Sequence, residues 1–136
     1  VIQRSDGSLL SYLRTEPKIE KTESHDMGFT WTDPQPVDLK CPGAGIAMIR
    51  LDNGHLILVF NDSDNDRTPI SVARSTDEGQ SWEKPLELES NPGEYSYPCV
   101  VQTRDSLIHI TYTFRRATIK HVEMNENWLN PVDRPN

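Results

Sequence analysis

The 136-residue chain is poor in cysteine, in aromatic residues and in positive charge. Its two cysteines, Cys41 and Cys99, form no C-x-x-C pair and no metal-binding spacing. That excludes a zinc ribbon; spacing leaves a disulfide between the two open, and two buried free thiols are the favoured expectation. No stretch approaches the roughly 18 consecutive apolar residues of a membrane-crossing helix, so no membrane partner is expected. The opening VIQRSDGSLL has neither the basic nor the apolar region of a secretory leader. Fourteen Lys and Arg stand against twenty-one Asp and Glu, a net charge of -7, and the basic residues form no stripe. Such a surface repels phosphate backbones, which argues against nucleic acid as a partner. The 35% hydrophobic content still suffices for a folded chain with a modest core.

What the chain has instead is repetition. SHDMGFTW, residues 24–31, returns as STDEGQSW, residues 75–82, on the skeleton S-x-D-x-G-x-[S/T]-W. The likeness extends upstream of each copy. VIQRSDGSLLSYLRT precedes the first octapeptide and IAMIRLDNGHLILVFND the second, while PCVVQTRDSLIHITYTFRRATIKHVEM begins a third unit that carries no octapeptide. Asp26 and Asp77 are 51 residues apart, a period suited to solenoids and propellers.

Each unit reads as short strands. IAMIRL, then DNG, then HLILVF is strand, tight turn, strand, because Asn and Gly accept positive φ. PISVARS alternates and is rich in β-branched residues, and no helical periodicity of useful length occurs. The expectation is an all-β chain of three units, about residues 1–40, 44–90 and 95–130, each with about four strands. Units of this kind are the blades of a β-propeller. Three blades leave two apolar faces open, so either an N-terminal portion or a second copy of the chain is expected to close the ring.

The octapeptide has the chemistry of a turn. Asp26 and Asp77 can accept backbone N–H bonds, the hydroxyls of Ser24, Thr30, Ser75 and Ser81 can add more, and Gly28 and Gly79 can take positive φ. Trp31 and Trp82 are expected to sink their rings into the core and pin each turn. One carboxylate per turn makes a poor cation site; no metal and no cofactor are expected.

This motif resembles the Asp-box, or bacterial neuraminidase repeat, of the sialidase superfamily. The resemblance runs from Val1 to about Met124 and implies the C-terminal half of a six-bladed sialidase-type propeller, with the boxes on the periphery and the chemistry elsewhere. It further implies a sialidase-like exo-glycosidase acting on a glycan with a terminal acidic sugar, in a secreted or periplasmic setting. Arg14, at the end of LLSYLR, and Arg67, in DNDRTPISVARSTDEGQSW, match the positions of arginines that clamp the substrate carboxylate. Tyr95, in GEYSYP, resembles the nucleophilic tyrosine. Arg116 is a further candidate for substrate binding, and Glu94 and His121 are weaker ones. The acid/base aspartate, the first arginine and the glutamate that activates the tyrosine would all precede Val1. Where such enzymes often carry a glutamate after Tyr112, this chain has Thr113, and that weakens the substrate assignment. Two alternatives stand beside the hydrolase: a uronate-acting polysaccharide lyase-type propeller, with Tyr95 or His121 as proton donor or base, and a non-catalytic propeller that binds a glycan or a protein.

Overall fold

The computed structural model describes residues 1–130, and they form three antiparallel sheets. Strands β1 (Ile2–Gln3), β2 (Leu9–Leu13), β3 (Lys18–Ser24) and β4 (Gln35–Lys40) make the first, in chain order. Strands β5 (Ala47–Arg50), β6 (Leu56–Phe60), β7 (Ile70–Ser75) and β8 (Leu86–Glu89) repeat that order in the second. The third holds β9 (Tyr95–Gln102), β10 (Ile108–Phe114) and β11 (Thr118–Met124), followed by a 3-10 turn at Glu126–Leu129. Among the described residues it therefore has three strands rather than the four that the repeat suggested.

The repeat is visible in the hydrogen bonds. Leu9 pairs with Ser24 and Leu56 pairs with Ser75, so each octapeptide starts opposite the first residue of its sheet's second strand. The first turn of each unit is closed in one way: Arg4 N–H to Ser8 O at 2.9 Å, Leu51 N–H to His55 O at 2.8 Å, and Thr103 N–H to Leu107 O at 2.9 Å. In the third unit Ser106 adopts φ 67° at the place where Gly7 and Gly54 stand in the others.

Packing explains the composition of the strands. All five residues of β6 are buried. Leu56, Leu58 and Phe60 enter a cluster with Leu10, Tyr12 and Ile19 of the first sheet. Ile57 and Val59 point the other way, into a cluster with Ile108, Ile110 and Tyr112 of the third. The middle sheet is covered on both faces, which is why β6 reads as a continuous apolar run and not as an alternation. Both cysteines are free, as expected, but only Cys41 is buried; Cys99 is exposed on β9. Residues alternate across a strand, and in β10 the alternate residues Ile108, Ile110 and Tyr112 already face the second sheet.

The octapeptides are closed hydrogen-bonded turns between the third and fourth strands. In the first, Asp26 Oδ1 accepts from Ser24 Oγ at 2.9 Å and Thr30 N–H at 2.8 Å, and its Oδ2 accepts from Thr30 Oγ1 at 2.6 Å. Asp77 holds Ser75 and Ser81 in the same arrangement. The two tryptophans differ, contrary to expectation. Trp82 reaches the neighbouring sheet, with its ring centroid 5.6 Å from that of Tyr12. Trp31 remains 39% exposed, and its indole N–H bonds within its own turn, to Gly28 O at 3.1 Å.

Candidate functional site

Consecutive antiparallel strands run in opposite directions. The ends of β2, β6 and β10 therefore lie at one end of their sheets, together with the start of β9, and the octapeptide turns lie at the other. Arg14 follows β2, Arg67 lies between β6 and β7, Tyr95 begins β9, and Arg116 sits in the turn between β10 and β11. All four candidates share the end opposite the octapeptides.

Backbone bonds knit three of these segments together. Tyr95 N–H donates to Arg67 O at 3.0 Å, and Arg115 N–H donates to Glu94 O at 2.7 Å. The buried Asn61 amide donates to Pro69 O at 3.0 Å and to Tyr95 O at 3.1 Å, tying the loop after β6 to the start of β9. Thr68 Oγ1 donates to Gly93 O. A cleft of about 620 Å³ opens between these segments, lined by residues 65–68 and by Ser90, Pro92, Gly93 and Glu94.

Glu94 is the hub of the cleft. Its Oε1 lies 3.1 Å from an Arg67 terminal nitrogen, and its Oε2 lies 2.5 Å from Arg116 Nε. Two guanidiniums thus converge on one carboxylate. The hydrogen bond from Arg116, and then the charges of Arg116 and Arg67, hold the Glu94 carboxyl below its usual range. The Arg116 guanidinium is raised in turn by Glu94. Asp62, on the same loop as Arg67, moves the opposite way: burial and its acidic neighbours Glu87 and Asp64 raise it, against the pull of Lys40. Arg14 is exposed at the end of β2, and the bonds around Glu94 do not include it.

The tyrosine assigned as nucleophile is not presented to this cleft. Tyr95 is fully buried, its ring packs against Tyr112 and Phe114, and its hydroxyl donates to Asn91 O at 2.9 Å. Tyr97 is the exposed tyrosine, at 64%, with the Arg67 guanidinium carbon 5.5 Å from its ring centroid. The cause is a bulge. Cys99 pairs with Thr111 and Ser96 with Thr113, so Tyr97 and Pro98 together oppose Tyr112. Tyr97 takes φ 52° there. An aromatic residue in that region is strained, and bulges commonly re-aim side chains beside functional sites. The sequence offered one signal for it, Pro98, which cannot donate to a strand ladder and so favours a bulge. His121, mid-strand on β11, lies opposite Thr111, with its Nε2 2.9 Å from His109 Nδ1, and takes no part in the cleft.

A family model described as a BNR repeat-like domain matches residues 1–110. No curated protein matches the chain. Among solved structures, the intramolecular trans-sialidase from Ruminococcus gnavus superposes with a TM-score of 0.79 at 20% identity, over 93% of this chain and 32% of that one. The NanB sialidase from Streptococcus pneumoniae gives 0.79 at 16% identity, over 92% and 22%. A polysaccharide lyase of family PL25, an ulvan lyase bound to -[GlcA(1-4)Rha3S]-, gives 0.63 at 14% identity, over 83% and 31%. These likenesses establish the fold, a set of sialidase-type propeller blades. The chain spans a third or less of the length of each of the three.

Proposed function

The chain belongs to the BNR repeat-like domain family, and from that premise we propose that it supplies the carboxylate-binding wall of a sialidase-like site for a terminal acidic sugar. The observation that carries this reading is the convergence of Arg67 and Arg116 on a single carboxylate at the rim of an open cleft. Guanidiniums bind carboxylates through charge-assisted hydrogen bonds, and two of them fix orientation as well as charge. Arg14, at the same end of the neighbouring sheet, is proposed as the outer contact for the rest of the sugar.

Tyr97 takes the role first given to Tyr95. In a sugar whose carboxylate is attached to the anomeric carbon, a carboxylate nucleophile would be repelled, whereas a neutral phenol would not. Tyrosine nucleophiles are the sialidase exception to the usual carboxylate pair. In this reading Arg67 and Arg116 hold the sugar acid, and the Tyr97 hydroxyl faces the anomeric carbon of an exo-acting hydrolase. The strained φ of Tyr97 and its approach to Arg67 support that placement.

A lyase acting on uronates is the second reading, favoured by the likeness to a lyase bound to a glucuronate-containing ligand. There the arginines would neutralise the uronate and Tyr97 would move a proton. The test is calorimetric titration of the full chain with N-acetylneuraminate, glucuronate and neutral N-acetylglucosamine. Binding of an acidic sugar that is lost in Arg67→Ala, with no response to the neutral sugar, supports the proposal. Equal binding of all three overturns it. Turnover is then assayed on a 4-linked uronate oligosaccharide and on a sialoside: an unsaturated product absorbing in the ultraviolet identifies the lyase, released N-acetylneuraminate identifies the hydrolase, and binding without cleavage of either identifies a glycan-binding module.

A further inference from the structure

We propose that Glu94 is a built-in stand-in for the ligand carboxylate, one that closes the Arg67–Arg116 pair when the cleft holds no ligand and is displaced when an acidic sugar binds. This inference rests on reading the two arginines as the carboxylate clamp. Glu94 uses its two oxygens as a bound acid would, one toward each guanidinium. Its backbone is fixed independently of its side chain. Its carbonyl accepts from Arg115 N–H, and the next residue, Tyr95, donates to Arg67 O. The side chain can therefore swing away without unfolding the loop. The ion pairs are also open to water: the side chain of Arg116 is 75% exposed, that of Arg67 35% and that of Glu94 26%. Exposed pairs of this kind are weak and exchange readily for a competing carboxylate. The cleft that exposes Arg67 and Glu94 has room for a monosaccharide.

The consequence is selectivity. A neutral sugar cannot replace the charge of Glu94 on the arginines, so it cannot open the pair. An acidic sugar can, and the released Glu94 side chain then remains beside the bound acid and weakens its hold through like-charge repulsion. Glu94 thus raises the threshold for binding and restricts the site to ligands with further contacts.

The experiment compares the full-length wild-type chain, Glu94→Gln, Arg67→Ala and the double variant Glu94→Gln/Arg67→Ala, titrated with N-acetylneuraminate and glucuronate. A second measurement follows the Glu94 side-chain carboxyl by carbon NMR as pH is varied, in the wild-type chain with and without sugar. Glu94→Gln is expected to bind the acidic sugars about tenfold more tightly, because the internal competitor and its charge are gone. In the wild-type chain the Glu94 titration is expected to move up toward its ordinary range when sugar is bound. Unchanged or weaker binding by Glu94→Gln, or a Glu94 titration that ligand does not move, overturns the inference. If Arg67→Ala alone abolishes binding while Glu94→Gln matches the wild type, the clamp stands and the stand-in falls. If neither the wild type nor Glu94→Gln binds an acidic sugar, both readings fall.

Discussion

Trp82 donates its indole N–H to the Tyr12 hydroxyl at 2.7 Å, across the boundary between the first two sheets. Tyr12 in turn donates to Gly79 O at 3.4 Å, so the second octapeptide is bonded twice to the sheet before it. The same turn reaches that sheet through Glu78, which accepts from Ser5 N–H and Ser5 Oγ, both at 2.8 Å. A motif that looks local in sequence is, in its second copy, the joint between blades.

Trp82→Ala is expected to destabilise the chain by about 2 kcal/mol, since it removes a half-buried ring and a bond to a buried hydroxyl. Trp82→Phe keeps most of the ring and should cost about 1 kcal/mol. Trp31→Ala, at the same position of the first octapeptide, should cost less than about 1 kcal/mol, because that ring is 39% exposed and its indole N–H bonds within its own turn. Urea unfolding of the three variants measures the difference, and equal costs at the two tryptophans would contradict the joint.

These two tryptophans also mark where sequence reading reaches its limit. The octapeptides share only Ser, Asp, Gly and Trp outright, with Thr30 matched by Ser81, yet their internal hydrogen bonds are the same, so the turn chemistry was legible in Ser, Asp, Gly and the hydroxyl residues alone. What surrounds each turn depends on the neighbouring sheet, and that is not written in the eight residues. The strand pattern and the arrangement in three units were likewise legible, because β6, β7 and β10 carry strong periodic or continuous apolar signals. The site was only half legible. Arg67 and Arg116 could be chosen from the sequence, but simple alternation puts Tyr95 and Tyr97 on one face and Glu94 on the other. The bulge at Tyr97 breaks that alternation, and Glu94, just ahead of the strand, is free to turn toward the arginines.

The octapeptide aspartates should make stability depend on acid. Asp26 is held at about 2, first by the Thr30 hydroxyl and then by the Thr30 N–H. Burial pushes Asp77 up, but the Ser81 hydroxyl and N–H and the Ser75 hydroxyl outweigh it, and Asp77 also sits at about 2. Both values lie below the roughly 3.9 of an aspartate in an unfolded chain. The folded state therefore binds fewer protons between these values. The contribution is fully present above about pH 5 and is lost as pH falls toward 2. Asp77→Asn is expected to lower the urea midpoint at pH 7 and to approach the wild type near pH 2.5. A gap that stays constant with pH would rule out the ionised carboxylate as the source.

Gly79 and Gly28 occupy equivalent turn positions with φ of 86° and 92°. A methyl group at Gly79 would lie 2.8 Å from Leu10 Cδ2, inside the first core, whereas at Gly28 the nearest atom is Leu9 Cδ1 at 3.5 Å. Gly79→Ala combines backbone strain with overpacking and should cost about 3 kcal/mol. Gly28→Ala has only the backbone strain and should cost about 1 kcal/mol. Thermal melts of the two variants check the ranking, which reverses if the first octapeptide is the more tightly packed.

Tyr95 and Tyr97 separate stability from binding. The Tyr95 hydroxyl is committed to Asn91 O, so Tyr95→Phe should lower stability by about 1 kcal/mol and leave acidic-sugar binding unchanged. Tyr97 is exposed and lies against Arg67, so Tyr97→Ala should relieve the strained φ only slightly and cost little stability. It should weaken acidic-sugar binding by about fivefold, through loss of the ring that positions the Arg67 guanidinium. Tyr97→Phe keeps that ring and should keep the affinity, while removing the hydroxyl on which turnover would depend. Parallel unfolding and calorimetric titrations of the three variants give the answer. Loss of binding in Tyr95→Phe with none in Tyr97→Ala would return the functional role to the buried tyrosine.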